Sequence, residues 1–375
     1  MQQDVIAASP PLPPPPPPPL TAPAYWPPPP PPRAPLAEYR FEFDGHAGEY
    51  FRIWIVNLAL TLLTLGIYSA WAKVRSQRYF YANTRLAGVP FEYLAKPLPI
   101  LKGRIIAVLL FVAYMLASQF SMIAQFVLIG VIMLATPWLI VLGTAFRARY
   151  SAWRGLTFRF IRDYGEAYIR FLLLLIPMIL TLGMLYPWIQ GKQKQFLVEH
   201  HRFGGSGFHF TLAPGRFYIP YLIAWGVLTA WIVVVSVALI GLMAATAAGG
   251  SGQPPTWVMM IFLAFFYSGY FVVFIYLSAA LANLVYNHVE IGGRRLRSTL
   301  QGHRLLAIYA ANTLAILVSA GLLIPWAKIR LARYRAESMC LLAAGDLEDM
   351  VAERLGEIDA TAAEVDGLFD IDIGL

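Results

Sequence analysis

His200, His201 and His209 are the densest group of histidines in the 375-residue sequence. Imidazoles at such spacing suit a transition metal when carboxylates or thiolates complete the ligand set. No His-Glu-x-x-His pattern accompanies them, and Cys340 is the single cysteine. No metal and no cofactor is therefore expected, and the histidines are read as a polar interfacial surface. The glycines of Phe203-Gly204-Gly205-Ser206-Gly207 lack the Gly-Lys-Ser/Thr ending that a phosphate loop needs. Asp44 and Asp163 are read as helix caps or as partners of Arg40 and Arg162. Cys340 reads as a structural thiol. No catalytic residue is assigned, and an enzyme is not the expected class.

A different chemistry is open to the amides in the apolar segments. Asn57 and Asn312 stand nine residues before Gly66 and Gly321. With Gly183, these five residues are the candidates for a solute path. Buried amides also tie helices together, which is the reading for Gln119, Gln125 and Asn283. Coupled carriers place a carboxylate or His near mid-membrane. The two longest apolar runs contain no charged residue, so a proton relay there is disfavoured.

The elements that must position these residues are set by composition. Apolar residues make up 58% of the chain, against about 45–50% in soluble domains, and only 13% are charged. A polytopic membrane protein is the expected class. Apolar runs cover Ile53–Trp71, Ile105–Phe146, Phe171–Trp188, Phe217–Tyr286 and Leu305–Trp326. The second and fourth are long enough for two spans each, with tips at Ser118–Gln125 and Gly249–Pro255. If the three short segments enter and leave by one face, all 29 Lys and Arg lie on one side of the membrane. The positive-inside bias favours that arrangement. The expected fold is therefore an all-α polytopic membrane protein with two long hairpins, making four full spans. Three glycine-broken segments are re-entrant or interfacial, or else three further spans giving seven. Small juxtamembrane β-strands and amphipathic surface helices complete it.

An internal repeat supports this outline. Trp71, Trp188 and Trp326 each follow a glycine by five residues, and each leads into a basic stretch. Trp71, Lys73, Arg75, Trp188, Lys192, Trp326, Lys328 and Arg330 are the expected interfacial anchors. Gly88–Tyr93, Gly155–Phe160 and Gly205–Phe210 share an alternating aromatic pattern, with Gly293–Leu296 a degraded copy, and read as short strands. Residues 1–35 are a disordered Pro-rich segment, 36–345 the repeat-containing membrane domain, and 346–375 an acidic tail. Residues 343–375 carry ten acids and one base, a net −9 that leaves +17 for the remainder of the +8 chain. The expected partners are anionic membrane lipids, proteins recruited by the head or tail, and further copies of the chain; nucleic acid is not among them.

Phe43-Asp44-Gly45, Asn57, Thr64–Tyr68, Trp71–Arg75, Asn83-Thr84, Phe91–Tyr93 and Ile324–Arg330 together resemble the YjgN-like family of bacterial inner-membrane proteins, described as a domain of unknown function. The resemblance covers about residues 39–345. Ser69-Ala70 precedes Trp71 where the other two repeats have proline. The resemblance implies a multi-pass inner-membrane location and no reaction or substrate. From the sequence, both termini are expected in the cytoplasm. The expected function is channel-like passage of a small or amphipathic solute or lipid, with a non-transporting membrane scaffold or stress-response component as the alternative.

Overall fold

The computed structural model describes residues 37–249 and 254–343. The Pro-rich head, the centre of the second long hairpin's tip and the acidic tail lie outside these residues. Ten short strands form a closed antiparallel barrel, each bonded to its sequence neighbours, with the last pairing the first. They are β1 (Ala37–Phe43), β2 (Thr84–Leu86), β3 (Val89–Tyr93), β4 (Ser151–Trp153), β5 (Leu156–Phe160), β6 (His201–Phe203), β7 (Ser206–Phe210), β8 (Val289–Ile291), β9 (Arg294–Ser298) and β10 (Met339–Ala343). The all-α expectation is thereby corrected. The four segments read as isolated strands are β3, β5, β7 and β9. Each needs a partner to satisfy its backbone, and closure leaves no bare edge.

Connections alternate strictly along the barrel. At one end, two-residue turns join β2 to β3, β4 to β5, β6 to β7 and β8 to β9. Ala87-Gly88, Arg154-Gly155 and Gly292-Gly293 all have positive φ at both positions, between 50° and 76°. That geometry matches the right-handed twist of the flanking strands, which is why such turns dominate tight hairpins. At the other end every connection is helical, and four of the five contain a pair of α-helices. The pairs are α1 (Ala47–Leu63) with α2 (Ser69–Ala82), α3 (Pro97–Phe120) with α4 (Met122–Arg149), α8 (Tyr218–Ala248) with α9 (Thr256–Tyr286), and α10 (Gly302–Val318) with α11 (Ile324–Glu337). The third connection is α5 (Tyr164–Tyr168), a π-helical turn, α6 (Leu175–Leu180) and α7 (Tyr186–Glu199). The descending helices α2, α4, α7, α9 and α11 pack on β3, β5, β7, β9 and β1 respectively.

The barrel interior is filled at its turn end. Leu86, Trp153, Phe203, Ile291 and Leu341, from the five even-numbered strands, are buried there with Ala343. Phe41, Phe91, Phe158, Phe208 and Leu296, from the odd-numbered strands, form the next layer. Burying each such side chain contributes about 1.5–3 kcal/mol, so these two layers are the main source of barrel stability.

The helix pairs fall into two lengths. Four helical stretches, 97–117, 122–149, 214–248 and 256–286, are long and apolar enough to cross a membrane. The first hairpin turns on Ser121, whose Oγ accepts from the Ile123 amide at 3.2 Å, capping α4. The second is locked where Trp231 stacks on Phe265 at 4.8 Å and donates its indole hydrogen to the Phe265 carbonyl. Gly269 makes room, since a Cβ there would stand 2.2 Å from the indole. The short pairs turn by a different device. Leu65, Leu182 and Ala320 adopt φ near +50°, each followed by a glycine at +84° to +93°. The Gly66, Gly183 and Gly321 amides each bond a carbonyl five residues back at 2.8 Å. This left-handed C-cap ends each ascending helix by consuming the carbonyls it would otherwise orphan. The tips are apolar and bare: Leu65 and Leu182 are 95% and 94% exposed.

Candidate functional site: a basic chamber at the barrel mouth

At the helix end the barrel is hollow. A cavity of about 510 Å³ opens there, floored by Phe41, Phe91 and Phe158 and walled by the last turns of α2, α4 and α11. That volume is within the range of small-molecule sites. The first residues of β2, β4 and β6 form its rim, and each ties back to the helix it follows. Thr84 Oγ1 donates to the Phe80 carbonyl at 2.8 Å, and Ser151 Oγ to the Arg147 carbonyl at 2.8 Å. His201 Nδ1 bonds the Leu197 carbonyl in the same i to i−4 fashion. A carbonyl can only accept, so Nδ1 carries the hydrogen and Nε2 is the acceptor in the neutral ring. Burial pushes the His201 pKa below its ordinary value, and the Arg147 charge and His200 act in the same direction against the Leu197 hydrogen bond.

Two arginines face the chamber, Arg147 from α4 and Arg335 from α11. They occupy equivalent places, each six residues before a buried ring residue, Trp153 and Leu341. Arg147 reaches Thr144 Oγ1 at 3.4 Å and Arg335 reaches the Tyr309 hydroxyl at 3.3 Å, contacts at the weak limit of hydrogen bonding. Neither takes part in the ion pairs found among the described residues. A second cavity of about 500 Å³ lies between α2, α3 and α4, lined by Lys73, Gln77, Tyr93 and the bare faces of Gly103 and Gly143. The two cavities share Tyr81 and Arg147 as walls. The Tyr81 hydroxyl is 3.0 Å from Ser151 Oγ.

The residues singled out in the sequence are dispersed around this site rather than gathered in it. Asn57 donates from Nδ2 to the Ala72 carbonyl at 3.4 Å, and Asn312 to the Ala327 carbonyl at 3.2 Å, each tying an ascending helix to its descending partner fifteen residues on. Both side-chain oxygens are buried without a hydrogen-bond partner. Gly66, Gly183 and Gly321 sit at the three short tips. Trp71, Trp188 and Trp326 lie in the first turns of α2, α7 and α11, which also carry Lys73, Arg75, Lys192, Lys328 and Arg330. Lys192 and Arg330 stand over the Trp188 and Trp326 rings at 5.6 and 5.3 Å, a favourable use of the ring face.

The histidines separate. His201 reaches the chamber, whereas His200 lies 3.5 Å from Glu166, whose other oxygen is held by Arg170 at 2.9 Å. Asp163, Glu166 and His200 could in principle surround an ion. Instead Asp163 caps α5 through the Glu166 amide at 2.8 Å, while Arg170 supplies the positive charge. Asp44 pairs with Arg85 at 3.2 Å rather than with Arg40. Asn283 accepts from Ser298 Oγ and the Leu300 amide and donates to the Leu300 carbonyl, pinning α9 to the end of β9 and the link that follows it. Arg147 and Tyr81 escaped the sequence reading as site residues. The signal that points to the two arginines is their equal distance from the ring residues, visible only when the short strands are aligned.

A model of the family described as "Bacterial protein of unknown function (DUF898)" matches residues 38–368. "Inner membrane protein YjgN" of Salmonella typhimurium strain LT2 is 26% identical, over 82% of this chain and 89% of that protein. The proteins of the same name from Escherichia coli O157:H7 and K12 are 30% and 32% identical, each over 39% of this chain and 36% of their own length. No solved structure matches the chain.

Proposed function

Given that the chain belongs to the DUF898 family of bacterial proteins, we propose that it is a multi-pass protein of the inner membrane that passes a small or amphipathic solute, lipid included, between the bilayer and the barrel-mouth chamber. The location draws support from the names of its relatives and from the four long apolar helices. In this reading the two long hairpins cross the bilayer, the three short pairs dip into it, and the barrel with both termini stays in the cytoplasm. The 17-residue α1 and α10 are each ~26 Å long, short of the ~30 Å hydrocarbon core even before their charged first turns are discounted. An impermeant maleimide applied to intact cells should label a cysteine placed at Ser121 and leave one at Ser206 untouched; the reverse pattern would invert the orientation.

The observation carrying the passage reading is the shared wall of chamber and cleft. Below the chamber, two apolar layers fill the barrel axis, which disfavours a straight pore through the barrel. The cleft between α2, α3 and α4 is the lateral way in. Asn57 and Asn312, with their unpaired buried oxygens, and the three tip glycines remain candidates for lining a path through the dips. The test is lipid or solute flux in proteoliposomes. A Cβ at Gly143 meets nothing within 4 Å, so Gly143→Ala should leave flux intact while Gly143→Trp fills the cleft and slows it at least tenfold. Equal flux in protein-free and protein-containing vesicles across lipid and solute panels would end this reading.

A further inference from the structure

The charges around the chamber are of one sign. Arg147 and Arg335 line it, Lys73 and Arg147 line the adjoining cleft, and no Asp or Glu lines either. Both arginines are exposed and line one open space, where like charges disfavour each other and a bound anion would relieve both. Among the described residues Arg40, Arg85, Arg170 and Arg295 meet carboxylates, and Arg147 and Arg335 are not among them. What distinguishes these two is that they line one cavity, where a bound anion would give both a counter-charge.

The surrounding groups narrow the ligand's chemistry. Guanidinium presents a planar fork of donors that matches phosphate and carboxylate oxygens. The Ser151 hydroxyl hydrogen goes to the Arg147 carbonyl, so the Tyr81 hydroxyl, 3.0 Å away, donates to Ser151 Oγ, and the two fix the wall beside Arg147. His201 Nε2 makes no hydrogen bond among the described residues, and as an acceptor it suits a hydroxyl on the ligand. The floor of Phe41, Phe91 and Phe158 is wholly apolar, with Phe41 and Phe91 stacked at 6.1 Å.

We propose that the mouth chamber is a binding site for a phosphate-bearing anion, its charge held between Arg147 and Arg335 and its apolar part resting on the phenylalanine floor. The same chemistry is offered by a phospholipid headgroup and by a soluble phosphorylated alcohol. The proposal deepens the passage reading and rests on it only for the claim that the ligand enters from the bilayer.

The test measures binding to the purified full-length chain in detergent, using dioctanoyl phosphatidylglycerol, dioctanoylglycerol and glycerol 3-phosphate as probes. Phosphatidylglycerol should bind at least tenfold more tightly than the uncharged dioctanoylglycerol. Arg147→Gln and Arg335→Gln should each weaken it roughly tenfold or more, as loss of a charge-assisted hydrogen bond does, and should leave dioctanoylglycerol unaffected. Arg159→Gln, on the exposed outer wall, should change nothing. Arg147→Lys keeps the charge but loses the fork, so an intermediate affinity is expected and covers the case of a poorly folded glutamine variant. Tight binding of glycerol 3-phosphate identifies a soluble source; weak binding identifies the lipid. Equal affinity for the phosphorylated and uncharged lipids, or wild-type binding by both arginine variants, overturns the site. Flux of an uncharged amphiphile would then still uphold passage, whereas phosphate binding without any flux would uphold the site and remove passage.

Discussion

The two ends of the barrel are built from the same ten strands yet do opposite things. At the turn end, Leu86, Trp153, Phe203, Ile291 and Leu341 meet across the axis and leave no space. Two residues earlier on three of those strands stand Thr84, Ser151 and His201, whose polar atoms turn back to helix carbonyls. Alternation along a strand sends residues two apart to the same face, so both sets point inward. The difference is that small or polar side chains committed to backbone capping cannot fill the lumen. Stability is concentrated at one end and an accessible cavity at the other, which is how a small barrel can hold its shape and still offer a binding site.

Substitutions can break this contrast in order of size. Trp153→Ala removes the largest side chain of the filled end and should cost about 3–5 kcal/mol, read as a large drop in the thermal unfolding midpoint in detergent. A cost under 1 kcal/mol would mean the turn end is not the stabilising one. Gly155→Val places a β-branched residue at φ +76°, a region such residues avoid. A loss of about 1–3 kcal/mol is expected, whereas Ala87→Gly at the equivalent turn position should be close to neutral, because glycine relieves the strain at φ +50°.

The smallest effect sharpens the comparison at the hollow end. His201 is held neutral in the fold, with its pKa depressed chiefly by burial. Above its ordinary value of 6.5 both folded and unfolded chains carry it uncharged. Below 6.5 the unfolded chain takes up the proton first, so stability is lost until the pH reaches the depressed folded value. His201→Asn should preserve the carbonyl cap, as Asn83 does with the Tyr79 carbonyl at 2.8 Å. It should also flatten that part of the acid limb, by about 1.4 kcal/mol for each unit of depression. Superimposable pH profiles for wild type and variant would show that His201 titrates normally.

Much of the helical part was legible because hydrophobic runs of twenty residues leave few alternatives. Ser121 falls inside the expected first tip, and the three glycine breaks sit where their spacing to Trp71, Trp188 and Trp326 placed them. The barrel was not legible as a barrel. Strands β2, β4, β6 and β8 are three residues long, too short to show a period, and each directly follows a helix whose pattern masks it. Their partners β3, β5, β7 and β9 did show alternation, but strands with no visible neighbour read as appendages of a helical protein. The closing pair β1 and β10 joins opposite ends of the described chain, and nothing local announces it. Arg147 and Arg335 were counted as charges that set orientation. Only the folded arrangement brings them to one mouth.

Pairing of Ala37 with Ala343 has a consequence for biosynthesis. All five helical connections are synthesised before β10, the strand that closes the ring. Until then β1 and β9 both present open ladders, and two unfinished molecules could zip together through them. β10 is thus the latch of the ring, and a chain that stops short of Met339 would carry two adhesive flanks in place of a sealed ring.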